Sequence, residues 1–271
     1  MDIALLPGLL KSVPYWLRSR PSPRNHIFIT GAPRSGTTLL KTILTAHSRI
    51  AGGDYESTGL FRVRDLYSYE CGELTKEQVH GLLRKSRNLI ELYDSVADAL
   101  LAYWGGDIFV DKVWPRAFRL KFVVHHFPNA RWLHIVRDGR DCYCSARKHP
   151  NVPQGKNLEG FARYWAKCDR LIKQHVPESK RMTFRYEDLV KDTQAVISSI
   201  MKFLHLDVEQ GQFYPAATSR IPSIRKSKHH ERLVQPIDAS SVSRYKREMS
   251  QREIELFESV AGGDLYKYGY E

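Results

Sequence analysis

Residues 26–47 read HIFITGAPRSGTTLLKTILTAH, and this stretch decides the fold. His26–Thr30 is a short apolar run that predicts a buried strand, ended by Gly31-Ala32-Pro33. From Thr37 the apolar period changes: Leu39, Leu40, Ile43 and Leu44 share one face of a helix. A strand, a Gly-rich turn and a helix in that order aim the free backbone N–H groups of the first helical turn at one point. The helix dipole favours negative charge there. Gly36 lets the backbone approach an anion closely. The hydroxyls of Thr37 and Thr38 add donors, and Arg34 adds a charge from inside the turn. Arg34, Ser35, Gly36, Thr37 and Thr38 thus converge on one predicted anion site.

The pattern resembles the triphosphate-binding loop G-x-x-x-x-G-K-[ST] and departs from it at one place. Thr37 stands where that loop carries the lysine that reaches the β- and γ-phosphates. Its absence argues against hydrolysis of ATP or GTP.

Outward from this unit, strands and helices alternate. Leu82–Trp104 predicts a long helix, Asp107–Val110 a strand, and the residues from Pro115 to His126 a helix. Arg131–Val136 predicts a strand, and Gly139 begins the next helical pattern. Leu158–His175 is helical. Lys180–Arg185 predicts a strand leading into a helix to about Leu204, and Ser250–Val260 a last helix. This order predicts an α/β, P-loop-like three-layer fold, with a mostly parallel central sheet flanked by helices. Such sheets bind ligands beyond the carboxyl ends of their strands. No Pro/Gly/Ser-rich linker divides the chain, so residues 1–271 form one expected domain. Residues 1–25 read as an N-terminal extension, and the basic, aperiodic residues 213–236 as a loop over the site.

A second anion site is expected where Val136-Arg137-Asp138-Gly139-Arg140-Asp141 closes a strand and opens a helix. Ser145 follows Arg137 by eight residues. At about 3.6 residues per turn it falls on the second helical turn. A guanidinium fork with a hydroxyl beside it suits a phosphomonoester. Two phosphate sites on one sheet fit a ligand that carries phosphate at two ends.

The chain has 42 Lys and Arg against 30 Asp and Glu, for a formal net charge of +12. That balance suits an anionic ligand, a nucleic acid or an acidic membrane surface and does not separate them. No nucleic-acid motif is present, so no nucleic-acid partner is expected. Cys71, Cys142, Cys144 and Cys168 form no CxxC pair and have no zinc-like His spacing, so no metal is expected. Unpatterned cysteines fit a reducing compartment, and a cytoplasmic, soluble protein is expected. The segment Leu5–Trp16, with Arg18, Arg20 and Arg24 behind it, is too short to span a bilayer. It either packs back on the domain or makes weak contact with a membrane surface.

Pro33-Arg34-Ser35-Gly36-Thr37-Thr38 is similar to the 5′-phosphosulfate-binding loop of sulfotransferases, above all the Golgi-type carbohydrate and tyrosylprotein branch and its bacterial relatives. Arg137 and Ser145 resemble that family's 3′-phosphate element. The resemblance runs from about Ile27 to Leu206, with a fainter match through Gln235-Pro236 and Ser243-Arg244-Tyr245-Lys246.

It implies transfer of a sulfuryl group from 3′-phosphoadenosine 5′-phosphosulfate (PAPS) to a hydroxyl-bearing acceptor. That acceptor could be a glycan, glycolipid, small metabolite or tyrosine. It also implies Glu56 as general base, with Asp54 as the alternative, and Lys112 as the cation at the leaving 5′-phosphate. Tyr186, in Tyr186-Glu187-Asp188-Leu189, and Ser227 are implied nucleotide contacts. The membrane anchor and cysteine framework of the Golgi relatives are not seen in the sequence, so acceptor and location are not carried over. Two other functions share part of this pattern: a P-loop kinase or NTPase, which Thr37 disfavours, and a non-catalytic polyanion-binding protein.

Overall fold

A computed structural model describes residues 6–53, 56–62, 66–69, 71, 73–215 and 237–270. The order of the described elements is α1 (Leu6–Leu17), β1 (Ile27–Thr30), α2 (Thr37–Thr45), β2 (Ile50–Ala51), α3 (Lys76–Lys85), α4 (Leu89–Trp104), β3 (Ile108–Lys112), α5 (Ala117–His126), β4 (Arg131–Val136), α6 (Gly139–Ala146), α7 (Leu158–His175), β5 (Arg181–Arg185), α8 (Tyr186–Lys191), α9 (Thr193–Leu204), α10 (Tyr245–Glu248) and α11 (Gln251–Tyr266). The five strands form one parallel sheet in the order β2-β3-β1-β4-β5.

β1 sits at the centre of the sheet with all four residues buried. Its side chains alternate between two faces, as the pleat of a strand requires. Phe28 faces a core holding Phe109, Phe127 and Trp132. Its ring lies 5.0 Å from Trp132 and 5.3 Å from Phe127. Ile27 and Ile29 face the other way, joining Val110, Leu133 and Ile135 under Leu40 and Ile43 of α2 and Ile197 and Ile200 of α9. Each such side chain contributes about 1.5–3 kcal/mol through burial. A third cluster of Phe161, Trp165 and Phe257 seats α11 against α6 and α7.

This packing fixes where ligands bind. Ile29 pairs with Lys112 of β3 on one side and Leu133 of β4 on the other. The chain runs from β1 to β2 at one edge and from β3 across to β4 on the other side of β1, so a crevice opens beyond the carboxyl end of β1.

The α/β architecture read from the sequence is present, and three helices differ from expectation. The stretch Leu82–Trp104 is interrupted at Ser86-Arg87-Asn88. Asn88 turns out of the helix, and its side chain accepts the N–H groups of Ile90 and Glu91, both at 3.0 Å. A side chain that caps a new helix terminates the old one. The helix after β5 breaks in the same way at Asp192, which caps Ala195 N at 3.0 Å. α11 also runs past Val260 to Tyr266.

The N-terminal extension packs back on the domain. Tyr15 donates to the Leu83 carbonyl at 3.1 Å, Ser12 Oγ accepts from Leu66 N at 2.9 Å, and the Trp16 ring lies 5.5 Å from Phe122. Val13 and Leu17 remain exposed. Among the described residues, no helix is long and apolar enough to cross a membrane. Cys71, Cys142, Cys144 and Cys168 are free, buried thiols. Of the loop expected over the site, residues 216–236 lie outside the described residues.

Candidate active site

The turn after β1 shapes a receptor for an anion. Gly36 stands at the N-cap of α2 with φ +103°, and as glycine it offers the helix no capping side chain of its own. A Cβ there would come within 2.6 Å of the Tyr186 ring, so the position needs glycine for space and for backbone angle. Arg34 is also left-handed, at φ +68°. That conformation is costly for a non-glycine residue and is often kept where function needs it. Ser35 is fully buried, and its hydroxyl has no hydrogen-bond partner among the described residues. An orphaned hydroxyl inside a Gly-rich turn marks a place where an oxyanion would be bound.

A cavity of about 200 Å³ opens beside this turn, lined by Arg34, Thr37 and Thr38 together with Glu56, Lys112 and Trp114. The two residues that the resemblance gave catalytic roles therefore meet here. Lys112, at the carboxyl end of β3, places Nζ 3.1 Å from Glu56 Oε1. The Trp114 indole N–H donates to the other oxygen, Glu56 Oε2. Burial works to raise the Glu56 pKa. The Lys112 charge, the Trp114 and Lys112 hydrogen bonds and the more distant Lys41 outweigh it, so the carboxyl is held below its ordinary value. Glu56 is thus an ionised acceptor of protons.

Behind this pair lies a second one that the sequence did not signal. Asp111 is fully buried. Its carboxylate accepts Lys112 N and Thr58 N, both at 2.7 Å, and the Tyr93 hydroxyl at 3.1 Å. Buried Lys41 lies 3.9 Å from it and donates to the Gly53 carbonyl at 2.6 Å. Burial lowers the Lys41 pKa and raises that of Asp111, while each charge opposes the shift of the other.

The second phosphate element joins the first through Arg34. Arg34 Nε donates to Ser145 Oγ at 2.9 Å, so its side chain reaches the second element from the first turn. Arg137 Nη1 meets the Arg34 carbonyl at 3.4 Å, and its Nη2 donates to the Ser241 carbonyl at 2.6 Å. Its Nε, buried, has no hydrogen-bond partner among the described residues. The guanidinium stacks 4.4 Å from the Tyr186 ring, so Tyr186 supports both Gly36 and Arg137 from below. Burial lowers the Arg34 pKa, and nearby Arg137 and Arg244 lower it further against Cys142. Arg34 thus lies in a basic neighbourhood, in which Arg137 also faces Asp141 at 3.7 Å and Arg244 pairs with Glu248 at 2.8 Å.

These features fit a nucleotide with phosphates at both ends. The orphaned Ser35 hydroxyl and the uncapped α2 would hold one end, and Arg137 with Ser145 the other. Sequence reasoning missed Arg244, which follows left-handed Ser243 at φ +55°, and His149 and Asn151, which line the cavity opposite Glu56. The turn-forming His149-Pro150-Asn151 after α6 was the available signal. Asp54 and Ser227 lie outside the described residues. No cluster of His, Cys, Asp or Glu able to hold a metal ion is found among the described residues.

A larger cavity of about 740 Å³ opens at the amino ends of the strands, away from this chemistry. Its basic residues are engaged within the protein. Arg49 pairs with Asp107 at 2.6 Å and Arg24 with Asp98 at 2.5 Å. Arg131 lies 3.1 Å from His205, and Lys180 donates to the Pro128 carbonyl. The smaller cavity, which holds the converging charges, is the better candidate.

The chain is 29% identical over 242 residues to protein-tyrosine sulfotransferase A of Caenorhabditis elegans, covering 83% of this chain. It spans 57% of that relative's length, and 46% of that of protein-tyrosine sulfotransferase from Drosophila melanogaster. Its fold is similar to that of the sulfotransferase domain of the Synechococcus PCC 7002 olefin synthase, with a TM-score of 0.61 at 21% identity, covering 90% of this chain and 96% of that one. It is also similar to mouse sulfotransferase SULT7A1 complexed with PAP, with a TM-score of 0.57 at 16% identity, covering 96% and 88% of the two chains. The model described as "Sulfotransferase family" matches residues 26–210, a span that holds both phosphate elements, Glu56 and Lys112, and the chain belongs to that family.

Proposed function

We propose that this chain transfers a sulfuryl group from PAPS to the hydroxyl of an acceptor. The observation that carries this is the 3.1 Å pairing of Glu56 and Lys112 in a cavity walled by the phosphate-binding turn. When bound, PAPS supplies an activated sulfuryl group on its 5′-phosphate. The N–H groups of the first α2 turn, with Ser35, Thr37 and Thr38, hold the 5′ end. Arg137 and Ser145 hold the 3′-phosphate, with Tyr186 stacked under Arg137. Arg34 spans the two, and Ser227 is assigned a further phosphate contact.

The chemistry needs an acceptor oxygen in line with the leaving oxygen, and stabilised charge at both ends. Glu56, kept ionised, takes the proton of the acceptor hydroxyl. Lys112 places its ammonium beside the oxygen on which charge develops. Arg34 and Lys112 supply positive charge at the reacting group, and no metal is assigned to the step.

For the acceptor we favour the phenol of tyrosine. A phenol gives up its proton near pH 10, so a modest base suffices. The tyrosine-sulfating relative adds support. The four free, buried thiols favour a reducing, cytoplasmic setting. Incubation with labelled PAPS and parallel sets of tyrosine peptides, glycans and small alcohols tests the function. Label moving to tyrosine peptides supports both proposals. Label moving only to another set moves the acceptor. Failure to bind adenosine 3′,5′-bisphosphate (PAP) at all overturns the whole assignment.

A further inference from the structure

Buried charge is expensive. Taking an ion out of water costs several kcal/mol, and a well-packed apolar pair is often more stable than a buried ion pair. Lys41 and Asp111 are 2% and 0% exposed, yet they lie 3.9 Å apart and form no direct hydrogen bond. Each spends its hydrogen bonds on something else.

Their targets are informative. Lys41 donates to the Gly53 carbonyl, three residues before Glu56. Asp111 accepts the N–H of Thr58, two residues after it. Asp111 also accepts the N–H of Lys112, and the Thr58 hydroxyl donates to the Lys112 carbonyl at 2.5 Å. The two buried charges therefore grip the Glu56 segment on both sides, and Asp111 ties the far side to the backbone of Lys112.

We propose that Asp111 and Lys41 are positioning residues that set the separation of the Glu56 carboxylate from the Lys112 ammonium. They matter to turnover only if Glu56 and Lys112 carry the chemistry as assigned above. Neither touches the acceptor. Asp111 holds the base against the strand end, and Lys41 supplies the counter-charge while holding the segment's near end. A misplacement of about 1 Å at such a centre can cost roughly 10²-fold in rate.

The test uses the full chain, PAPS and a tyrosine peptide, with kcat and KM measured per PAP-binding site. Glu56→Gln and Lys112→Met are the controls. If both retain near-normal turnover, the catalytic assignment fails and the positioning role fails with it. If they are slow, Asp111→Asn decides. The expected result is a kcat lower by about 10- to 100-fold, with the KM for peptide and the Kd for PAP within about threefold of the parent. Normal kcat per PAP site overturns the positioning role alone.

The double variant Lys41→Met/Asp111→Asn separates a positioning pair from a merely structural one. Thermal stability recovered relative to the single variants, without turnover, supports positioning. Recovery of both overturns it. If Asp111→Asn does not give PAP-binding protein, Thr58→Val takes its place, because it removes only the hydroxyl tie to Lys112. A severalfold loss of kcat then supports the proposal, and unchanged kcat overturns it.

Discussion

Lys112 Nζ stands 3.1 Å from Glu56 Oε1, although one residue ends β3 and the other belongs to a segment far earlier in the chain. Their side chains are 19% and 20% exposed, so the pair opens to the cavity and is not sealed in the core. An acceptor hydroxyl entering there meets both charges at once. It can give its proton to Glu56 while Lys112 turns to the leaving oxygen.

Glu56→Gln preserves shape and removes the proton acceptor. Turnover is expected to fall by about 10²–10⁴, the usual worth of a general base. PAP affinity, measured by calorimetry, is expected to stay the same because the carboxylate faces the acceptor. Near-normal turnover with Asp54→Asn inactive moves the base to Asp54.

With Glu56 as the proposed base, Lys112 is expected to set the working pH range. A base acts only when ionised, so the rate is held above the Glu56 pKa and lost as pH falls through it. Lys112 and Trp114 depress that pKa against burial. In Lys112→Met the burial is opposed by less charge, and the pKa rises. The acid limb of kcat/KM is expected to move to higher pH. An acid limb that stays in place removes Glu56 from the titration.

Arg137→Ala separates the two ends of the nucleotide. A lost charged hydrogen bond is worth about 1.5–3 kcal/mol. PAP binding is expected to weaken by roughly 10- to 150-fold. Adenosine 5′-phosphosulfate, which lacks the 3′-phosphate, is expected to lose much less. Equal losses for both ligands place Arg137 elsewhere.

Gly36→Ala strains the turn twice. Its φ of +103° is unfavourable for alanine, and the new methyl carbon sits 2.6 Å from the Tyr186 ring. Off-region backbone alone costs about 1–3 kcal/mol. PAP affinity is expected to fall by at least about tenfold. Adding Tyr186→Ala relieves the clash and leaves the backbone strain, so the double variant is expected to recover only in part. Thermal shifts with PAP read both effects.

Stability towards acid is expected to depend on His134 of β4. Burial, aided by Arg181 and Lys173 and opposed by Asp169, pushes its pKa down to about 3. The unfolded chain binds its proton near pH 6.5. Between those values the unfolded state carries more protons. The stability His134 contributes is therefore present above about pH 6.5 and lost as pH falls towards 3, by on the order of 1 kcal/mol per pH unit. In urea titrations His134→Gln is expected to show a shallower loss over that range.

What was legible in the sequence was local. The turn from Gly31 to Thr38 and the Arg137–Ser145 spacing are contiguous, and each predicts its own geometry. Alternating strands and helices sufficed for the parallel sheet. β2 was too short to show a period, and Pro14 hid α1. The Asn88 break was masked because apolar periodicity continues on both sides of it. Asp111 and Lys41 could not be read as partners. One looks like a strand-end polar residue and the other like the wet face of a helix. Only the stacking of α2 on β3 buries them together.

Arg34 is held at both ends, its carbonyl by Arg137 and its side chain by Ser145. If the two proposed phosphate positions are filled, both act on this one residue. A ligand charged at one end must disturb this tether without compensation from the far side, whereas one charged at both ends repays the disturbance twice. Removing the tether in Arg34→Met is therefore expected to cost the doubly charged nucleotide more affinity than either singly charged half, as read by calorimetry.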